Sequence, residues 1–276
     1  MAFFRRKLGL GLVAAALLLG GRGRTEGSRA PSGAADRATG STIVFPYRQR
    51  ILLYSRNAAG GLAYVSPHAA PRASLPVVVF LHGMNPDELV HPWFGASADG
   101  RRDLRTVLDA LVAEGRIGPL VVAAPTHTRY ATGATVMWPR FDLADFLDAT
   151  EAALGATAKL DRARVIVVGH SGAGCNAAGG IFAEGVRQAK PLAVVDVDGC
   201  VDETTVPALA RASASTMVRF VWQRAWARPI AELESGCPAC KVDEITDLAG
   251  AGSPHDAILP EALRRVLPEL LPPAPR

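Results

Sequence analysis

The chain has 276 residues, 49% of them hydrophobic and 20% charged, which suits a globular protein with a sizeable core and excludes disorder as its overall state. Its net charge of +4 does not imply a nucleic-acid partner, because the excess is local. Residues 1–24 carry Arg5, Arg6, Lys7, Arg22 and Arg24 and no acid, which leaves 25 basic against 26 acidic residues in the remainder and no basic face for phosphates.

That basic start reads as a targeting segment. MAFFRRK is positive, and LGLGLVAAALLL is an apolar run of twelve residues. Such a run fits a signal-peptide core and is short for a membrane span. The alternative is an uncleaved amino-terminal anchor, which would be the chain's one link to a membrane. The residues that follow are rich in Gly, Ala, Ser, Arg and Pro without apolar period, as in a flexible leader. The expected organisation is a signal peptide over 1–24, a leader over 25–41 and one folded domain over 42–276, placed outside the cytoplasm, either periplasmic or secreted.

Within the domain, strand and helix character alternate. TIVFPYRQ (42–49) and LAYVSPH (62–68) are rich in β-branched and aromatic residues. LPVVVFLHG (75–83) is the continuous apolar run of a strand buried on both faces. Residues 101–115 keep the helical period through Leu104, Val107, Leu108, Leu111 and Val112, and Gly115 ends that helix. PLVVAAP (119–125) is a second buried strand, and 141–156 an amphipathic helix with Asp142 at its start. RVIVVG (164–169) precedes a small-residue helix from about Gly172. PLAVVDVDG (191–199), a helix near 203–214, MVRFVWQ (217–223), a helix over 229–235, KVDEITDL (241–248) and ILPEALRRVLPELL (258–271) complete the pattern. The alternation predicts an α/β fold: a mostly parallel sheet of about eight strands with helices on both faces. Ligands of such sheets bind beyond the carboxyl ends of the strands.

Four cysteines in an exported chain fit disulfides. Cys237 and Cys240 in CPAC are close enough for a local bridge, and Cys175 and Cys200 are either bonded or free. No second CxxC or paired histidines accompany CPAC, so no metal is expected. No phosphate loop or dinucleotide fingerprint meets its spacing rule either, and no cofactor is expected.

The segment VIVVGHSGAG (165–174) places Ser171 at a strand-to-helix turn among small residues, Gly169 two before it and Ala173 two after. This resembles the nucleophile elbow of the α/β-hydrolase fold, with alanine at the last position of G-x-S-x-G. VVVFLHGM, upstream, is similar to the His-Gly turn after the third strand of that family. The resemblance implies an oxyanion hole from the backbone N–H groups of Met84 and Gly172, with no metal or cofactor. The family order of serine, acid, histidine implies His255, in a loop just before the last helix, as the base for Ser171. The acid is Asp198 by choice, after the sixth strand, with Asp202 and Glu232 as alternatives; Asp196 shares its strand face. His82 is expected to be structural and His170 to pack behind the turn.

Only about eighteen residues separate Gly199 from Met217, which implies a small cap or none. The loops 83–100 and 125–140, with Trp93, Phe94, Tyr130, Met137 and Trp138, are the expected pocket walls, with Trp138 and His127 as substrate-binding residues and His91 as a further liner. The expected function is a secreted serine hydrolase of small carboxylic esters through a Ser-His-Asp acyl-enzyme. Cleavage of amides or peptides, acyl transfer on the same scaffold, and an idle binding protein that keeps the fold are the alternatives.

Overall fold

The computed structural model describes residues 38–47, 60–87, 89–95, 102–127, 133–248 and 253–273. The expected signal peptide, most of the leader and Tyr130 lie outside the described residues. Eight strands form one sheet: β1 (Ser41–Phe45), β2 (Gly61–Val65), β3 (Ser74–Leu81), β4 (Val121–Pro125), β5 (Lys159–His170), β6 (Ala193–Val197), β7 (Met217–Trp222) and β8 (Lys241–Glu244). Their spatial order is β1-β2-β4-β3-β5-β6-β7-β8. β2 runs antiparallel to β1 and β4, and every other pairing is parallel. The predicted mostly parallel sheet is thus the observed one.

The parallel strands are apolar at nearly every position because both faces are covered. On one face Val78, Phe80, Val122, Ile166, Val168 and Val195 pack under α1 (Leu104–Ala113) and α6 (Pro254–Leu270). On the other, Val77, Val79, Val121, Val165 and Val167 pack under α2 (Leu143–Leu154) and the short α3 (Glu184–Ala189). Farther along that face, Val218 and Phe220 of β7 meet Leu209 of α4 (Thr205–Ser213) and Leu233 of α5 (Ile230–Gly236). Local signals set the helix ends, at Asp142 and Gly115 as expected and at Asp103 besides. Asp103 and Asp142 accept N-cap bonds from Arg105 N and Asp145 N, and Gly115 takes a left-handed φ of 67° just past α1.

Two expectations are corrected. The helix expected from Gly172 is a single 3-10 turn, Ser171–Gly174. Residues 175–179 then run to another short turn, Gly180–Phe182, and α3 follows only at Glu184. Glycines at 172, 174, 179 and 180 disfavour a continuous helix. Long-range contacts also hold the segment extended: Gly180 N–H donates to Trp138 O at 3.0 Å, and Cys175 is bonded to Cys200. Second, His255 lies inside the first turn of α6, not in the loop before it. Pro254 opens that helix, and Ser253 caps it by accepting from His255 N at 3.3 Å.

Between β6 and β7 the chain makes only α4 and its connections, so no cap is inserted there. Ser171 and Asp198 follow the carboxyl ends of β5 and β6, and His255 lies in the first turn of α6.

Candidate active site

β5 ends at His170, and the chain reverses at Ser171 with φ of 57°, a left-handed conformation that costs a non-glycine residue energy. Packing holds it there. A Cβ on Gly83 would fall 2.6 Å from Ser171 Cβ and 3.0 Å from its Oγ, so the turn after β3 approaches the hydroxyl as closely as glycine permits. A Cβ on Gly169 would fall 2.5 Å from Ile181 and 3.3 Å from Ala173 Cβ. Small residues are therefore required on both sides of the corner, and the methyl group of Ala173 is accommodated. A Cβ on Gly172 would lie 3.4 Å from Met84 N, so the two peptide segments expected to supply oxyanion donors meet beside Ser171.

Asp198 follows β6 at a second left-handed residue, φ 52°, and its side chain is fully buried. Its Oδ2 lies 2.5 Å from His255 Nδ1 and accepts from Gln223 Nε2 at 3.0 Å, while Oδ1 accepts from Arg228 Nη2 at 2.8 Å. Burial by itself would raise this carboxyl. The hydrogen bonds from His255 and Gln223 and the Arg228 charge outweigh it, and the group titrates below the ordinary carboxylate range. The competing acids are elsewhere engaged. Asp202 Oδ1 accepts from Thr204 N and Thr205 N at the start of α4, and Glu232 is exposed in the first turn of α5.

His255 is held on every side. Its ring stacks on that of His170 at 4.6 Å between centroids, and Trp226 covers it at 4.5 Å. His170 Nε2–H donates to His255 O at 2.9 Å. Burial, then the neighbouring His255, lowers the His170 pKa to about 3, so His170 is a neutral brace directly preceding Ser171. No hydrogen bond joins Ser171 Oγ to His255 among the described residues; the link shown between them is His170, which precedes Ser171 and stacks on the His255 ring.

The expected substrate-binding pair is corrected. Trp138 is fully buried, and His127 is 4% exposed, so neither presents a surface to a ligand. Both support the turn after β3: Trp138 Nε1 donates to His82 O at 2.7 Å, and His127 N–H donates to His82 Nε2 at 2.9 Å. His82 Nδ1–H in turn donates to Gly83 O at 2.7 Å, and burial lowers its pKa to about 3, a neutral structural imidazole. Trp93, Phe94, Met137 and His91 are also buried, since these loops fold down over the sheet. The exposed apolar side chains at this end are instead Met84, 54% exposed, Val136 in the turn that packs on Gly172, and Trp226, 48% exposed.

Arg228, Gln223 and Trp226 were not foreseen as parts of the site. The stretch QRAWAR after β7 was read only for a carboxylate. The available signal was its arginine, because a buried acid beside a histidine also needs a cation or donors for its second oxygen. Among the described residues no group of His, Cys, Asp and Glu is arranged to hold a metal ion.

No protein-family model matches this sequence, and no curated protein does. Solved structures do match. The structure of a protein designated FAE is 12% identical, with a TM-score of 0.59 over 85% of this chain and 88% of that one. An alanine-for-serine mutant of the feruloyl esterase module from Clostridium thermocellum, complexed with sinapinate, is 12% identical, with a TM-score of 0.56 over 84% and 88%. A thermostable esterase is 14% identical, with a TM-score of 0.52 over 82% of this chain and 60% of that one. With the strand order, the antiparallel β2 and the strained serine at the end of β5, these likenesses give the chain the α/β-hydrolase fold of esterases.

Proposed function

We propose that the protein is a serine hydrolase of carboxylic esters, with Ser171 as nucleophile, His255 as base and Asp198 as the acid that orients it. The observation that carries this reading is the 2.5 Å contact between His255 Nδ1 and the buried Asp198 Oδ2, with the imidazole stacked on His170, the residue before a serine held at φ 57°. With Nδ1 turned to Asp198, Nε2 is the nitrogen that takes the Ser171 proton as Oγ attacks the ester carbonyl carbon. The Asp198 carboxylate fixes the tautomer and stabilises the imidazolium. The Nε2–Oγ hydrogen bond, not made in the free protein, forms as substrate binds.

The N–H groups of Met84 and Gly172 receive the oxyanion, and His255 returns its proton to the departing alcohol. Water, deprotonated by the same imidazole, then releases the acid from Ser171. The esterase neighbours and the absence of a cap between β6 and β7 favour a small or accessible ester. Two disulfides and the basic, apolar amino terminus favour export into an oxidising compartment.

The test is labelling by a fluorophosphonate probe together with turnover of p-nitrophenyl esters of graded acyl length. Ser171→Ala should abolish labelling, and Ser171→Ala and His255→Ala should each lower kcat by roughly 10⁴–10⁶-fold. Labelling that persists in Ser171→Ala would remove the mechanism. Product analysis with added alcohols or amides distinguishes ester hydrolysis from acyl transfer and amidase activity.

A further inference from the structure

We infer that Arg228 is a positioning residue for the acid, and that the turn over 223–228 clamps acid and base together. This rests on the reading of Ser171, His255 and Asp198 given above.

The guanidinium of Arg228 makes three contacts with two adjacent residues, two of them to backbone carbonyls and one to a carboxylate oxygen. Nη1 donates to Gly199 O, and Nη2 donates to Asp198 O at 3.0 Å and to Asp198 Oδ1 at 2.8 Å. Its side chain is 10% exposed and that of Asp198 is not exposed at all, so solvent does little to screen the pair. Asp198 sits in a left-handed conformation, uncommon for a non-glycine residue and adopted by aspartate where local hydrogen bonds support it. Two carbonyls of that turn point to one rigid cation, which supplies the support. With Oδ1 taken by Arg228, Oδ2 is left for His255, and the carboxylate has one orientation.

The same turn reaches the base. Gln223 Nε2 donates to Asp198 Oδ2, and Gln223 Oε1 accepts from Ala225 N at 2.6 Å. Trp226 lies over the outer face of the His255 ring, and the Arg228 guanidinium stands 5.7 Å from the Trp226 ring centroid. One segment of six residues thus touches both partners of the 2.5 Å contact. Arginine does this where lysine would not, because its planar fork serves several acceptors at once.

Arg228 also offsets the negative charge that faces His255. The other charged or titratable groups around the pair are Asp196 on β6, His170 on β5, and the ion pair of Arg102 with Asp256 on α6, at 2.5 Å. None of these contacts Oδ1 of Asp198. Removing the Arg228 charge leaves the carboxylate uncompensated, which favours the protonated imidazole.

The experiment compares Arg228→Gln and Arg228→Lys with the unaltered protein by pH profiles of kcat and kcat/KM on a p-nitrophenyl ester, with probe labelling alongside. Arg228→Gln is expected to lower kcat by about 10²-fold, the cost of a misplaced catalytic group, with KM changed less than about twofold. The acid limb of its kcat/KM profile is expected to move to higher pH. Arg228→Lys, which keeps the charge but not the fork, is expected to restore the acid limb while recovering kcat only in part.

Unaltered kcat in both variants would overturn the proposal. So would a fall in kcat with an unmoved acid limb in Arg228→Gln, which marks a merely structural residue. If Arg228→Gln does not fold, Arg228→Lys decides alone: lowered kcat supports the clamp, and unaltered kcat sinks it. Loss of the Ser171 dependence of labelling would instead overturn the underlying reading, so the two failures are separable.

Discussion

At the scale of single residues the site is limited by space more than by chemistry. Gly83 is the sharpest case. A methyl group there would sit 2.9 Å from His170 O and 2.6 Å from Ser171 Cβ, so either the turn after β3 or the serine corner must move. Gly83→Ala is therefore expected to lower kcat by about 10²-fold or more, as a displacement of about 1 Å does, while the fold persists. Circular dichroism and probe labelling measured together check this; full labelling at the normal rate would show that the close approach is dispensable. His82 and Trp138 stand behind the same turn, which explains why aromatic and imidazole side chains in that loop are buried and do not line a pocket. Among histidines 82, 127, 170 and 255, only His255 has a ring nitrogen on a buried carboxylate, that of Asp198, among the described residues.

At the scale of elements, the device that joins the pieces is the Cys175–Cys200 disulfide. It connects the turn that begins at Ser171 to the loop that begins at Asp198, across a sequence separation of 25. Cys237–Cys240 closes a separation of 3 at the end of α5. Chain entropy makes the first worth about 3 kcal/mol and the second about half of that. Replacing Cys175 and Cys200 by alanine is expected to lower unfolding stability by about 3 kcal/mol and also to slow turnover. Replacing Cys237 and Cys240 should cost less and leave kcat unaltered. Urea unfolding and ester kinetics on both pairs test this, and equal kinetic effects would contradict it. α6 contributes in the same way, because Ser253 and Pro254 start the helix where His255 must stand.

At the scale of the whole molecule, one buried group sets a pH dependence of stability. Asp196 is fully buried between Gly174 and Gly199, on either of which a Cβ would fall 2.1 Å from its Oδ1. Burial raises its pKa well above the ordinary value; the Arg228 charge opposes this and the Asp198 carboxylate adds to it. The folded protein therefore keeps a proton that the unfolded chain releases above about pH 4. Through Asp196 alone, stability falls as pH rises through that window, by up to about 1.4 kcal/mol per unit, and the buried neutral His82 and His170 contribute with the opposite sign below about pH 6.5. Asp196→Asn removes the dependence, so its stability relative to the unaltered protein should grow between pH 5 and pH 8 in urea titrations. A difference that does not change with pH would mean that Asp196 is ionised in the folded state.

What the sequence determined by itself was whatever depends on neighbours along the chain. The period of apolar residues marked the strands and helices, and Asp142 and Gly115 marked helix ends. The small residues around Ser171 announced a tight corner. These signals are local because backbone geometry and alternating burial act over a few residues. The tertiary structure decided what depends on where distant loops land. It selected Asp198 over Asp196, Asp202 and Glu232, paired Cys175 with Cys200, and buried Trp138 and His127. It also brought Arg228 to Asp198 and Trp226 to His255. Carboxylates are chemically equivalent in a sequence. They acquire different roles only through burial and through the partners that the fold carries to them.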